Sequence, residues 1–235
     1  MTSLIMTGIS LLVPILCVSR FQLVFAVLLA VFTYISLQKL FHPGWLFGLF
    51  VVMIPFYLIL TVARSHNIEY LNGIFEMKNA SMPIFVSQPY IYIANNYDNF
   101  NFLVGALPGH SFGLKGLFPL WALSGLKFFF PQLINFPIYV DKTELTTLTL
   151  FYDSYYDFGW IGVLLFSCIL GAVAYILVVK LREMRNPLGY LLYAQFAAYL
   201  MLSFFTTWFS NTTTWFYLIL TGIMALFYHL RASRW

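Results

Sequence analysis

The sequence predicts an all-α, polytopic helical membrane protein with about six transmembrane helices. It also predicts one large extracytoplasmic loop containing short interfacial helices. Three observations point there. The 235 residues are 61% hydrophobic with a mean hydropathy of +0.84, and only 9% are charged, whereas a soluble domain carries roughly 25%. The apolar residues gather in runs near the ~17–25 residues that a bilayer-crossing helix needs. The charges are segregated: the segment from Arg64 to Asp157 holds seven of the eight acidic residues and five of the twelve basic ones. So long a connection is functional or has structure of its own.

In chain order, Leu4 to Val18 is the first expected span. Phe21 to Leu37 is the second, after a tight turn at Ser19 and Arg20. Gln38 to Gly44 is a polar break, and Trp45 to Ala63 is the third span, with Pro55 implying a kink that neighbouring helices accommodate. Phe158 to Val179, Leu188 to Thr207 and Trp215 to Leu230 complete the set. The domains follow: residues 1–63 carry helices one to three, 64–157 form the extracytoplasmic subdomain, and 158–235 carry helices four to six.

Basic residues cluster at span ends. Lys180, Arg182 and Arg185 lie between spans four and five, Arg231 and Arg234 follow span six, and Lys39 separates spans two and three. The positive-inside bias puts these in the cytoplasm with both termini, and puts the Arg64–Asp157 segment outside. The same distribution explains the pI near 9.0 without nucleic-acid binding. Cys17 and Cys168 fall in apolar spans, which suggests neither a disulfide nor a thiolate metal site. The first apolar block lacks a basic leader and reads as a span rather than a signal peptide.

Two arginines run against the orientation bias. Arg20 and Arg64 both end spans on the outer side. Each reads either as a snorkelling interfacial arginine or as an anion clamp, because a guanidinium fork matches phosphate oxygens bidentately. In the outer segment, Gln88 to Leu103 is rich in Tyr, Asn and Phe. It reads as a helix starting near Pro89, with Ile91, Asn95, Asp98 and Phe102 along one side. That face suits a sugar, or equally a helix lying on the membrane interface. Phe112 to Phe130 is apolar but interrupted by glycines and Pro119, so it is expected to be interfacial or re-entrant rather than a seventh span. Asp153 and Asp157 stand near the start of span four, where a carboxylate is favoured by the helix dipole, as a functional acid or a plain cap. Asp157-Phe158-Gly159 also matches a kinase metal motif, but no phosphate loop or catalytic loop accompanies it.

The order of features resembles the oligosaccharide repeat unit polymerases, the O-antigen and capsule polymerases of bacteria. The matching pieces are Val18-Ser19-Arg20, Arg64, Tyr92-Ile93-Ala94-Asn95 with Asn99-Phe100, and Tyr156-Asp157-Phe158-Gly159 with Gly162 and Gly171. The resemblance covers most of the chain from about Arg20 onward and corresponds to the C-terminal half of such an enzyme. It implies a glycosyltransferase of the bacterial inner membrane acting on glycans linked to undecaprenyl diphosphate, with no cofactor and no metal. It implies Arg20 and Arg64 on the diphosphate, Tyr92, Asn95 and Tyr156 on the sugar, and Asp157, Asp98 or His110 as general base. The implied partners are the lipid-linked oligosaccharide and membrane lipids, a missing N-terminal half, a chain-length regulator and a flippase. Two other readings stay open: an O-antigen ligase using the same donor, and a non-enzymatic transporter of the same lipid-linked glycan.

Overall fold

The computed structural model describes residues 20–38, 43–62, 67–183, 186–204 and 206–232. Among them every regular element is helical. The helices are α1 (Arg20–Gln38), α2 (Pro43–Val62), α3 (Ile68–Ile74), α4 (Ile84–Ala106), α5 (Phe118–Leu123), α6 (Tyr152–Glu183), α7 (Pro187–Met201) and α8 (Thr212–Ala232). Among the described residues two segments, Tyr152–Lys180 and Thr212–Arg231, are long and apolar enough to cross a membrane. The chain forms two compact units, residues 1–90 and 91–235.

In the first unit α1 and α2 pack on each other. They cover the second and third expected spans; the first, Leu4–Val18, lies outside the described residues. Their buried hydroxyls are satisfied locally: Ser36 donates to the Phe32 carbonyl and Thr61 to the Tyr57 carbonyl, both at 2.6 Å. This i−4 bonding lets a polar side chain sit on an apolar helix without an unmet donor. Asn67 caps α3 by accepting the Tyr70 amide at 3.0 Å. Asn72, fully buried, donates to the Ala80 and Met82 carbonyls at 2.8 and 2.7 Å and closes the turn that follows.

In the second unit α8 packs on α7 and α5, and α6 packs on α7. Asn186 caps α7 through the Leu188 amide and reaches across to the Ala225 carbonyl of α8 at 2.7 Å. Gln195 of α7 donates to the Thr221 hydroxyl of α8 at 3.0 Å. These polar links fix the register of an apolar helix pair.

Three expectations shift. The fifth span was expected to run to Thr207, but α7 ends at Met201 after 15 residues, about 22 Å and short of a ~30 Å hydrocarbon core. The next three carbonyls are taken by partners outside the helix: Leu202 accepts from the Trp208 indole, Ser203 from the Leu150 amide and Phe204 from the Asn96 side chain, each at 3.0 Å. Span four was expected to begin at Phe158, and α6 carries in addition an N-terminal piece, Tyr152 to Asp157, joined across a kink at Phe158 and Gly159. The buried side of α4 also differs: it holds Ile91, Asn95, Asn99 and Leu103, while Asp98 and Phe102 are exposed. The Phe112–Phe130 stretch is turns, α5 and a single 3-10 turn, none of them long enough to span.

Candidate functional site

The site forms where α6 breaks. Phe158 (φ −137°, ψ 15°) and Gly159 (φ 62°, ψ −148°) leave helical geometry and divide α6 into two helical pieces joined by a kink. Gly159 occupies a region of backbone space that essentially only glycine enters. A second glycine lets the two halves pass: a Cβ at Gly162 would lie 2.1 Å from the Ser154 carbonyl oxygen. The Tyr156-Asp157-Phe158-Gly159 motif and its trailing Gly162 are thus the chemistry of a kink.

The kink redirects backbone acceptors. The Tyr156 carbonyl accepts from the Ser111 amide at 3.2 Å, and the Asp157 carbonyl from the Phe112 amide at 3.1 Å. Buried carbonyls need partners, and here the loop 110–117 supplies them. The loop bends for the purpose, with Phe112 at φ 52° and Gly113 at φ 93°.

Asp157, 4% exposed, is the second anchor of that loop. Its Oδ1 accepts from the Ser111 hydroxyl and from the Lys115 amide at 3.1 Å; its Oδ2 accepts from the Gly116 amide at 2.7 Å. Asp153 lies one turn earlier on the same face, also buried. Its carboxylate lies 3.7 Å from the Lys115 ammonium and is bonded by the side chains of Ser210 and Thr207. The ammonium sits 4.7 Å from the Tyr156 ring centre and 5.8 Å from that of Tyr152, cation–π contacts that offset part of its lost hydration. His110 points Nδ1 at the Tyr156 carbonyl at 3.3 Å. A Cβ at Gly159 would lie 3.1 Å from its Nε2, so the imidazole rests against the break.

Behind this cluster is the unit's aromatic core. Leu103, Tyr152 and Tyr156 are buried together. The Tyr152 hydroxyl donates to the Tyr139 carbonyl at 2.7 Å and accepts the Tyr139 amide at 2.8 Å. The irregular segment 135–149 is tied down from α4. Asn99 donates to the Leu145 and Thr147 carbonyls at 2.7 and 2.9 Å and accepts the Asp141 amide at 3.0 Å. Asn95 donates to Leu145 at 3.0 Å.

Of the residues picked from sequence, Asp157, Tyr156 and His110 come together at the break. Asn95 is buried against residue 145, while Tyr92 and Asp98 are exposed on α4. Arg20 opens α1, but its side chain and the whole of Arg64 lie outside the described residues. Sequence reasoning missed Lys115 and Ser111, and it named Asp153 as a candidate acid beside Asp157 without joining the two in one cluster. The i, i+4 spacing of Asp153 and Asp157 was the available signal, since it puts both on one helix face. Among the described residues no three His, Cys, Asp or Glu side chains gather as metal ligands would.

One side of the break opens on a cavity of about 720 Å³, lined by α6, α7, α8 and the 112–117 turn. Comparison with protein-family models, with curated proteins and with solved structures returned no match for this chain.

Proposed function

We propose that the chain is a membrane glycosyltransferase that polymerises oligosaccharide repeat units linked to undecaprenyl diphosphate. The reading begins from the motif resemblance. The single structural observation that carries it is the convergence of Asp157, Tyr156 and His110 at one helix break. A carboxylate and an imidazole are the side chains that most often serve as general bases, and here they flank the same turn beside an aromatic ring. In the proposed reaction the acceptor hydroxyl attacks the anomeric carbon of the donor glycan. His110 or Asp157 takes the hydroxyl proton, and the bond to the diphosphate breaks. Arg20 and Arg64 stabilise the charge that develops on the departing diphosphate. In the six-span arrangement expected from the sequence, both termini are cytoplasmic and the 64–157 segment lies on the extracytoplasmic side, where assembled repeat units would be joined.

The test is complementation of cells that lack their own repeat-unit polymerase, with any upstream half supplied. A ladder of glycan lengths is expected from the parent chain. Arg20→Lys and Arg64→Lys keep the charge but lose the fork, so each should shorten the ladder at equal expression. His110→Gln should abolish it. A full ladder from all three variants would remove the proposed roles. Topology is checked separately by single cysteines at Asn79 and Asn186: an impermeant reagent should label Asn79→Cys and spare Asn186→Cys.

A further inference from the structure

The cavity beside the break has an uneven chemistry. Its long wall is a stripe on α6: Leu165, Ile169, Val173 and Leu177 recur at intervals of four, with Phe166 and Leu170 alongside. Leu165 and Ile169 are about 60% exposed, at 58% and 60%, so the wall is open rather than packed. From the break to Leu177 it covers about eighteen residues of helix, about 26 Å. Both α6 and α8, which flank it, contain a segment long and apolar enough to cross a membrane.

The polar groups lie at one end only: Ser154, Asp157 and Ser210. Each offers lone pairs and no hydrogen. The Ser154 hydroxyl spends its proton on the Phe151 carbonyl at 2.9 Å. The Ser210 hydroxyl spends its own on Asp153. Asp157 has three acceptor sites filled, and a carboxylate has about four. Lys115 is the cation beside this end, and it lies against Asp153 and the Tyr156 ring.

We propose that this cavity binds a membrane lipid through one hydrocarbon chain and a primary ammonium head, with the ammonium seated on Asp157, Ser154 and Ser210. The chain lies along the α6 stripe. An anionic phosphate head is disfavoured at this end by the Asp157 carboxylate that lines it. This site does not depend on the arginine clamp proposed for the diphosphate, but it shares Asp157 with the proposed base pair and, when occupied, leaves the proton transfer to His110.

Trp215 lines the cavity and serves as the reporter. The full chain is reconstituted in nanodiscs of phosphatidylcholine, whose head has no N–H donor. It is titrated with dibromododecylamine, dibromododecanol and dibromododecyl phosphate. Quenching of Trp215 is read as the difference between the parent chain and Trp215→Phe. The amine should quench saturably at a mole fraction at least tenfold lower than the phosphate, with the alcohol between them. Asp157→Asn should bring amine and phosphate within about twofold of each other; Ser210→Ala, which leaves the loop anchors intact, should reduce the preference in the same direction. Val173→Phe, which fills the wall, should weaken all three probes. Equal quenching by the three heads, or stronger quenching by the phosphate, would overturn the proposal. So would an absence of saturable quenching, whether the protein is monomeric or a second copy has closed the groove.

Discussion

Gly162→Ala is the sharpest perturbation of the α6 break. The added Cβ would stand 2.1 Å from the Ser154 carbonyl oxygen and 2.9 Å from the Phe158 Cβ. The first neighbour is backbone, so no rotamer change can relieve the clash. The two halves of α6 must move apart or straighten. Either movement withdraws the Tyr156 and Asp157 carbonyls from the Ser111 and Phe112 amides. Two hydrogen bonds at ~0.5–1.5 kcal/mol each are lost, and the Asp157 side-chain anchors are disturbed as well. The expected cost is therefore about 2–4 kcal/mol. Gly171→Ala is the matched control: nothing lies within 4 Å of its added Cβ, and alanine is the better helix former by up to ~1 kcal/mol. The assay is thermal unfolding in detergent, together with hydrogen exchange of the 110–117 peptide. At roughly 2–4 °C per kcal/mol for a chain of this size, Gly162→Ala should melt at least ~4 °C lower, with faster exchange across 110–117. Gly171→Ala should melt no lower than the parent. Unchanged exchange in the Gly162→Ala protein would refute the claim that the break holds the loop.

Three further outcomes follow from the same geometry. Gly159→Ala should cost about 1–3 kcal/mol for the backbone conformation alone, and the His110 resonance should shift, since the new methyl would touch Nε2. Asn99→Ala removes two donated bonds and one accepted bond at a fully buried position; each unmet partner costs ~1–3 kcal/mol, so limited proteolysis should cut the 135–149 segment faster. A double-mutant cycle of Gln195→Ala and Thr221→Val should show coupling of about 0.6 kcal/mol, the magnitude typical of hydrogen bonds between helices in a bilayer; zero coupling would mean their bond does not hold the α7–α8 register.

Much of the fold was legible because apolar runs report helices directly. α1, α2, α6 and α8 cover stretches that the run length marked. The end of α7 was not legible. Its apolar run continues past Met201, and the helix stops because Trp208, Leu150 and Asn96 claim the next three carbonyls. Two of those partners lie far away in sequence. The break in α6 was half legible: Gly159 and Gly162 stood out, but a glycine in an apolar run marks either close packing or a kink, and the choice depends on the loop at 110–117. In the cluster, Asp157 was readable as a chemistry-bearing residue near a span start and His110 as one within the outer segment. Lys115 was not, because an isolated lysine at the edge of an apolar stretch reads as an interfacial charge until its partner, Asp153, is known. On α4 the side picked from sequence is divided: Ile91 and Asn95 are buried, Asp98 and Phe102 exposed. Asn95 and Asn99 look inward because they hold the 135–149 backbone, and asparagine carries no hydrophobic signal by which a helical face could be recognised.

The loop geometry also changes what a familiar substitution can report. Asp157→Asn would leave one of its three donors facing an NH₂ group, so a loss of function in that variant would mix chemistry with the loss of an anchor. The direct measurement is reconstitution. The chain, with any upstream half co-expressed, is placed in liposomes with purified undecaprenyl-diphosphate-linked repeat units, and the products are resolved by length. The account predicts a ladder of glycans, each longer than the last by one repeat unit, that remains attached to lipid. A single transfer to another acceptor, or movement of intact lipid-linked units across the bilayer with no new glycosidic bond, would contradict it.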